Sequence, residues 1–419
     1  MKFKRTITTL CLIAFAMVDF VAQGQDTGFL YGKVTTIDDK EYTGAIRWGK
    51  EEVFWTDMFN ASKEENENLR YLSRREKEDL DEKRYKRYGN NNSSNRLVRW
   101  VNNNLNSWDD YEHTHQFSCQ FGEIDKLEIT GRSRVYLTLQ NGDRLEVNGE
   151  GYNDIGTSVS VIDSEIGEIK LNWSKIDEID FMDTPSSLSE KFGEPLYGTV
   201  QTYGGTFEGY IQWDHDERLS TDKLDGDTYD GDVSIKFGKI KSIVNDGNRA
   251  DIVLNSGREM TLRGSNDVNS ENRGIIITSP KYGRIDVPWR EFRKVEFKSG
   301  GSPVPRSSFK SNKELNGTVK TADGNSLTGK IIYDLDEEMD LEVLEGSDDD
   351  IKYIIPFSLI KSITPKNYDY SKVMLKNGTE LTLGESQDVS DLNSGVLVFE
   401  GSGDPTFITW ENIDSISFK

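Results

Sequence analysis

Apolar residues along this chain recur mainly with a period of two. Leu381-Thr-Leu383, Ile275-Ile-Ile277 and Ile285-Asp-Val287 are examples, and that period sets alternate side chains on one face of a half-buried strand. A second pattern interrupts the first. Aromatic-x-x-apolar-x-x-apolar occurs six times, at Phe121/Ile124/Leu127, Trp173/Ile176/Ile179, Phe237/Ile240/Ile243, Trp289/Phe292/Val295, Phe357/Ile360/Ile363 and Trp410/Ile413/Ile416. A spacing of three predicts a single 3₁₀ turn leading into a short strand, because side chains at i and i+3 eclipse there. Asn141-Gly142 and Asn377-Gly378 predict type I′ hairpin turns, in which both central positions need positive φ.

Self-comparison groups these elements into longer units. Leu30-Tyr-Gly-Lys-Val34, Leu196-Tyr-Gly-Thr-Val200 and Leu315-Asn-Gly-Thr-Val319 are each followed by Gly-x-Ile-x-aromatic, at Gly44 to Trp48, Gly209 to Trp213 and Gly329 to Tyr333. Further on, Leu137 to Leu145, Ile252 to Met260 and Val373 to Leu381 are related hairpins. The expected organisation is a first unit over 25–181, a second over 196–297 and a third over 315–418. Segments 182–195 and 298–314, rich in Ser, Pro and Gly, read as linkers. Each unit divides again into halves of strand, tight turn, strand, one or two more strands, 3₁₀ turn and closing strand.

Short strands, tight turns and a 3₁₀ turn before the closing strand resemble SH3-like small barrels, and Val373 to Ser417 also resembles an Sm-like barrel. The resemblance implies an all-β fold of three tandem repeat units, each a pair of small SH3-like barrels, with a partly helical insertion in the first. Six propeller-like blades are the rival arrangement. Sm-like proteins usually bind RNA, but phosphate-contacting Lys and Arg are not concentrated in this chain, so the resemblance is carried over for the fold alone.

The insertion, 60–116, breaks the strand pattern. Glu64 to Tyr88 is dense in helix formers, with Asp79/Lys83 and Glu82/Lys86 four apart, a thin apolar face of Leu69, Leu72, Leu80 and Tyr85, and a stop at Gly89. Five tryptophans, Trp48, Trp173, Trp213, Trp289 and Trp410, occupy equivalent positions among aliphatic residues and read as core. Trp55, Trp100, Trp108 and Tyr111 lie in or beside the insertion and are the candidate ligand-binding residues, because function concentrates on loops carried by a fixed scaffold; pinning the helix to the first barrel is the other role open to Trp100, Trp108 and Tyr111.

Charge narrows the possible functions. The chain has 419 residues, 51 Lys and Arg against 73 Asp and Glu, and a net charge of -22, which disfavours nucleic acid as a partner. The acid is clustered: Asp334 to Asp350 holds ten acidic residues among seventeen, and Asp214 to Asp232 is its counterpart. Such a loop is expected to be solvated, with calcium held by Asp336, Glu337, Glu338 and Asp340 as the alternative, although neither stretch has EF-hand spacing. Asp154, Asp267 and Asp388 recur just after a hairpin strand, where an Asp is expected to bond nearby N–H groups and fix a turn.

Residues 1–24 have a secretory layout: Lys2, Lys4 and Arg5, an apolar run from Ile7 to Val18, then Ala22-Gln23-Gly24. That run is too short to span a bilayer. Cleavage would leave Cys119 as the single cysteine, alternating with Phe117 and Phe121 on one strand face as a small core hydrophobe. His113-x-His115 lacks a defined third metal ligand, and no nucleophile elbow, phosphate loop or His-Glu-x-x-His is present. The expectation is an exported, periplasmic or extracellular, non-catalytic binding or scaffold protein whose partner is an envelope protein or polysaccharide. A carbohydrate-binding or carbohydrate-active protein is the alternative.

Overall fold

The computed structural model describes residues 26–63, 66–89, 115–309 and 313–419. The expected secretory segment 1–24, Trp100, Trp108, Tyr111 and His113 lie outside these residues. The described fold is all-β with one α-helix. The first unit contains ten strands: β1 (Tyr31–Thr36), β2 (Glu41–Trp48), β3 (Met58–Lys63), β4 (His115–Gln120), β5 (Ile124–Ile129), β6 (Arg134–Leu139), β7 (Arg144–Asn148), β8 (Val159–Asp163), β9 (Gly167–Leu171) and β10 (Ile176–Phe181). They form one antiparallel sheet in the order β4-β3-β7-β6-β5-β10-β1-β2-β8-β9.

That order differs from halves built of contiguous chain. Along the sequence β3 follows β2 and β8 follows β7, yet β2 pairs with β8 and β7 pairs with β3. The first half therefore gives β3, β4 and β5 to the hairpin β6–β7, and the second gives β8, β9 and β10 to the hairpin β1–β2. The two closing strands, β5 and β10, pair at the centre, with Ile179 opposite Leu127. The second and third units have the same exchanged connections: Thr206–Trp213 pairs with Ile275–Ser279, and Ser326–Tyr333 with Val396–Phe399. The Gly-x-Ile-x-aromatic glycine lies in this exchanged ladder. A Cβ on Gly44 would run into the Ile162 carbonyl, and one on Gly329 into that of Phe399.

Five of the six aromatic triplets start a 3₁₀ turn, at Phe121, Trp173, Phe237, Phe357 and Trp410. At Trp289 the turn closes instead on the Pro288 carbonyl, which accepts from Glu291 and Phe292 N–H. The Asn-Gly hairpins are not type I′: Gly142 and Gly378 have φ of 92° and 87°, but neither Asn has positive φ. The Asn side chain makes an Asx turn instead, with Asn141 Oδ1 accepting from Asp143 N and Asn377 Oδ1 from Thr379 N, both at 2.9 Å.

The units touch one another. Strand Gly283–Val287 of the second pairs with Ile351–Pro356 of the third, making one sheet of twenty strands. The helix α1 (Arg74–Gly89) begins at a reciprocal capping box between Ser73 and Glu76. Leu72 and Leu80 of this segment pack against Ile332, Leu335 and Leu397 of the third unit. Lys83 pairs with Glu411 at 3.2 Å rather than with Asp79. The second linker also docks: Phe309 packs on Gly122, and the buried Arg306 pairs with Asp125 at 2.7 Å.

Candidate functional site

The acidic stretches divide: 214–222 and 334–342 are largely withdrawn from solvent and form contacts between units, while Asp230, Asp232 and Asp348 to Asp350 are exposed. Each unit has a nine-residue loop after its second strand, 49–57, 214–222 and 334–342. At its end stands Asp57, Asp222 or Glu342. One oxygen of each accepts two N–H groups of its own loop: Val53 and Phe54 to Asp57, Arg218 and Leu219 to Asp222, Glu338 and Met339 to Glu342, all at 2.6–2.9 Å. Each carboxylate also meets a cation from another unit. Asp57 pairs with Arg218, Asp222 with Arg47 at 2.9 Å, and Glu342 with Lys63 at 2.6 Å. The Arg218 guanidinium also lies over the Phe54 ring, 5.0 Å from its centroid. Burial works against the charge on Lys63, but the Asp336 and Glu342 carboxylates outweigh it and hold the ammonium above its ordinary pKa.

Deeper in each loop stands a second acid, Glu52, Glu217 or Glu337, whose backbone bridges Trp48, Trp213 or Tyr333. These aromatics donate to the carbonyls of Asp154, Asp267 and Asp388. The Asp carboxylates reach across the exchanged halves, accepting from Asn60 N at 2.6 Å, Asp225 N at 2.7 Å and Glu345 N at 2.6 Å. The nearby turns are fixed by Ser265 and Ser386 instead, which accept from Asp267 N and Asp388 N. Burial pushes Asp154 and Asp267 up to about 6. Burial, with Asp267 next, pushes Glu217 up to about 8. Burial also raises Glu337 and Asp388 well above the carboxylate range, with the Asp388 charge adding to it at Glu337 and the Asp334 charge at Asp388.

The four carboxylates considered for calcium do not share a centre. Asp336 pairs with Lys63 at 3.0 Å, Glu338 accepts from Asn68 Nδ2 at 2.9 Å, and Asp340 accepts from Lys313 N at 2.9 Å. Glu337 Oε2 is buried with no hydrogen-bond partner, and the nearby Asp388 charge helps to raise its carboxyl. Among the described residues, the group with three acidic oxygens within 4.8 Å of one another is Asp214, Glu217 and Asp267. Asp214 already accepts from Arg273 N and Asn266, while Glu217 Oε2 has no hydrogen-bond partner. These three would be the ligands of any cation held here, on carboxylates whose protonation competes with it.

Trp55 is fully buried, and its Nε1 donates to Thr184 Oγ1 at 2.9 Å, so its ring belongs to the first unit's core. The six described tryptophans are all buried. Cys119 is buried among Phe59, Phe117 and Phe121, and burial raises its thiol well above the usual range. A cleft of about 260 Å³ lies beside Glu52 and Asp154, with Lys50 and Lys170 at its edge and no aromatic ring in its lining. Sequence reasoning missed the cations Arg47, Lys63 and Arg218. The available signal was the acid nine residues after each strand-ending aromatic, at Asp57, Asp222 and Glu342, which the uneven first unit concealed.

No helix among the described residues is long and apolar enough to cross a membrane. No family model, curated protein or solved structure matches this chain.

Proposed function

We propose that this is an exported, non-catalytic scaffold or binding protein of the cell envelope or extracellular space, with the insertion in the first unit as its recognition element. The supporting observation is where the unusual charge lies. Asp57, Asp222 and Glu342 are occupied in capping loops and joining units, an arrangement that stiffens a platform.

The test follows from how the insertion docks. Asn66, Asn68, Leu72 and Leu80 contact the third unit, so a deletion should begin beyond α1. The purified protein and a variant lacking 91–110 are incubated with intact envelopes, isolated envelope polysaccharide and extracted envelope protein. Retention by one fraction that is lost in the variant, with unchanged melting, is the expected result. Equal retention by both proteins rejects the segment as the recognition element, and release of soluble sugar from the polysaccharide rejects a non-catalytic role.

A further inference from the structure

We infer that copies of this chain associate head to tail, with β9 of one copy adding to strand Gly231–Lys236 of the next. This stands independently of what the protein binds. Its basis is a joint already formed once within the chain. Strand Gly283–Val287 occupies in the second unit the place that β9 occupies in the first, since both follow a strand paired with the one ending in Trp213 or Trp48. Strand Ile351–Pro356 likewise matches Gly231–Lys236, because Leu344 faces Ile355 as Leu224 faces Ile235. The second and third units join through Arg284 opposite Ile354, Ile285 opposite Tyr353 and Asp286 opposite Lys352.

In the same register, β9 would set Glu168 opposite Ser234, Ile169 opposite Val233 and Lys170 opposite Asp232. The apolar pair is kept. The charge pair is also kept, with its signs reversed, and opposite charges facing across a ladder are favourable. Around the existing joint, Tyr353 packs against Phe207 and Tyr282. The equivalents of those two rings are Tyr42, which is half-buried, and Ile166, which is 60% exposed. Ile166 is thus an apolar residue in the open at the position where the formed joint is covered.

Among the described residues, β9 and Gly231–Lys236 each have a ladder on one side only. The other outer strands are blunted. Thr406–Ile408 has three residues and follows Pro405, which stands where Arg284 stands in the second unit and has no N–H to give. The outer side of β4 is met by the third unit, where Gln116 donates to Glu345 at 3.1 Å. The two strands left accessible are different surfaces, so their union is heterologous and builds rings or open filaments rather than a closed twofold dimer.

Sedimentation velocity over a concentration series tests this on the wild-type protein, Lys170→Asp, Asp232→Lys and the double charge swap. Both side chains are exposed, so circular dichroism and melting should match across the set. The expected result is concentration-dependent growth of the wild type, about tenfold weaker association in each single variant, and recovery in the double. A wild type that stays monomeric into the millimolar range overturns the inference, as does a swap that fails to restore what the single changes remove.

Discussion

Replacing Arg218 by alanine should loosen the joint between the first and second units more than any other single cation removal. The Arg218 side chain is 1% exposed and Asp57 5%. Without the guanidinium, Asp57 keeps its bonds from Val53 and Phe54 N–H but loses its counter-charge in a site that water does not reach. Breaking a buried pair from one side typically costs about 3–5 kcal/mol, and the lost contact with the Phe54 ring lies within that figure. Arg47 and Asp222, at 17% and 14% exposed, are partly screened, so Arg47→Ala should cost about 1–2 kcal/mol, just above the range for surface pairs. Urea unfolding followed by tryptophan fluorescence reads both, and amide exchange at Val53 and Phe54 reports on the cap directly. The double variant Arg218→Met/Asp57→Asn removes both charges and should recover most of the loss, giving a coupling above about 1.5 kcal/mol. If Arg218→Ala costs no more than Arg47→Ala, and the double shows no coupling, the joint does not depend on this pair.

Three further outcomes are expected. Asp154 is raised to about 6 by burial, so between about pH 4 and 6 the unfolded chain gives up a proton that the folded chain keeps. Stability therefore falls as pH rises through that window; Asp154→Asn, which can still accept from Asn60 N, should flatten the slope and stabilise the protein by about 2–3 kcal/mol at neutral pH, and an unchanged slope assigns the effect elsewhere. Gly329→Ala, which meets the Phe399 carbonyl, should cost at least about 3 kcal/mol in urea unfolding, while Gly401→Ala, with nothing near its Cβ, should stay within about 0.5 kcal/mol. Leu80→Ala should free α1 from the third unit at a cost of about 2–3 kcal/mol, seen as faster amide exchange over Arg74–Lys83 with the sheets still protected; uniform exchange across the molecule would mean that the helix is part of the global core.

Local features of this fold were legible, and their pairing was not. Period two located the strands, and the aromatic triplets located five 3₁₀ turns, because both depend on neighbours a few residues away. The Asn-Gly turns differ from type I′ because an Asx turn at Asn141 or Asn377 lets the chain reverse with one positive φ instead of two. Trp55 stands beside the insertion in sequence, yet its ring packs near Phe181 and its Nε1 reaches Thr184, 129 residues away. The acidic loops gave the largest difference. Ten carboxylates among seventeen residues suggest solvent when read locally, and the cations that change that reading, Lys63 above all, come from another unit. No spacing rule reaches across 273 residues.

The exchange of strands gives one physical account for features that looked separate in the sequence. Because β2 pairs with β8 rather than β3, the chain must leave the first hairpin at Trp48 and cross to the other half, and the nine-residue loop is that crossing. A crossing loop has backbone N–H groups with no ladder to satisfy them, which is the role of Asp57, Asp222 and Glu342. The far half must then be held in register with the hairpin the chain left; Asp154, Asp267 and Asp388 do this by bonding the strand after the crossing while their carbonyls hold the aromatic before it. The glycine four residues before that aromatic lets the exchanged strand approach at the Ile162 or Phe399 carbonyl. Neither half of a unit contains its own complete set of neighbours, so the ten strands, not five, form the smallest part that can bury its aromatic core. The loops that complete the units also join them, 49–57 and 214–222 linking the first to the second and 334–342 linking the third to the first, while a strand ladder links the second to the third.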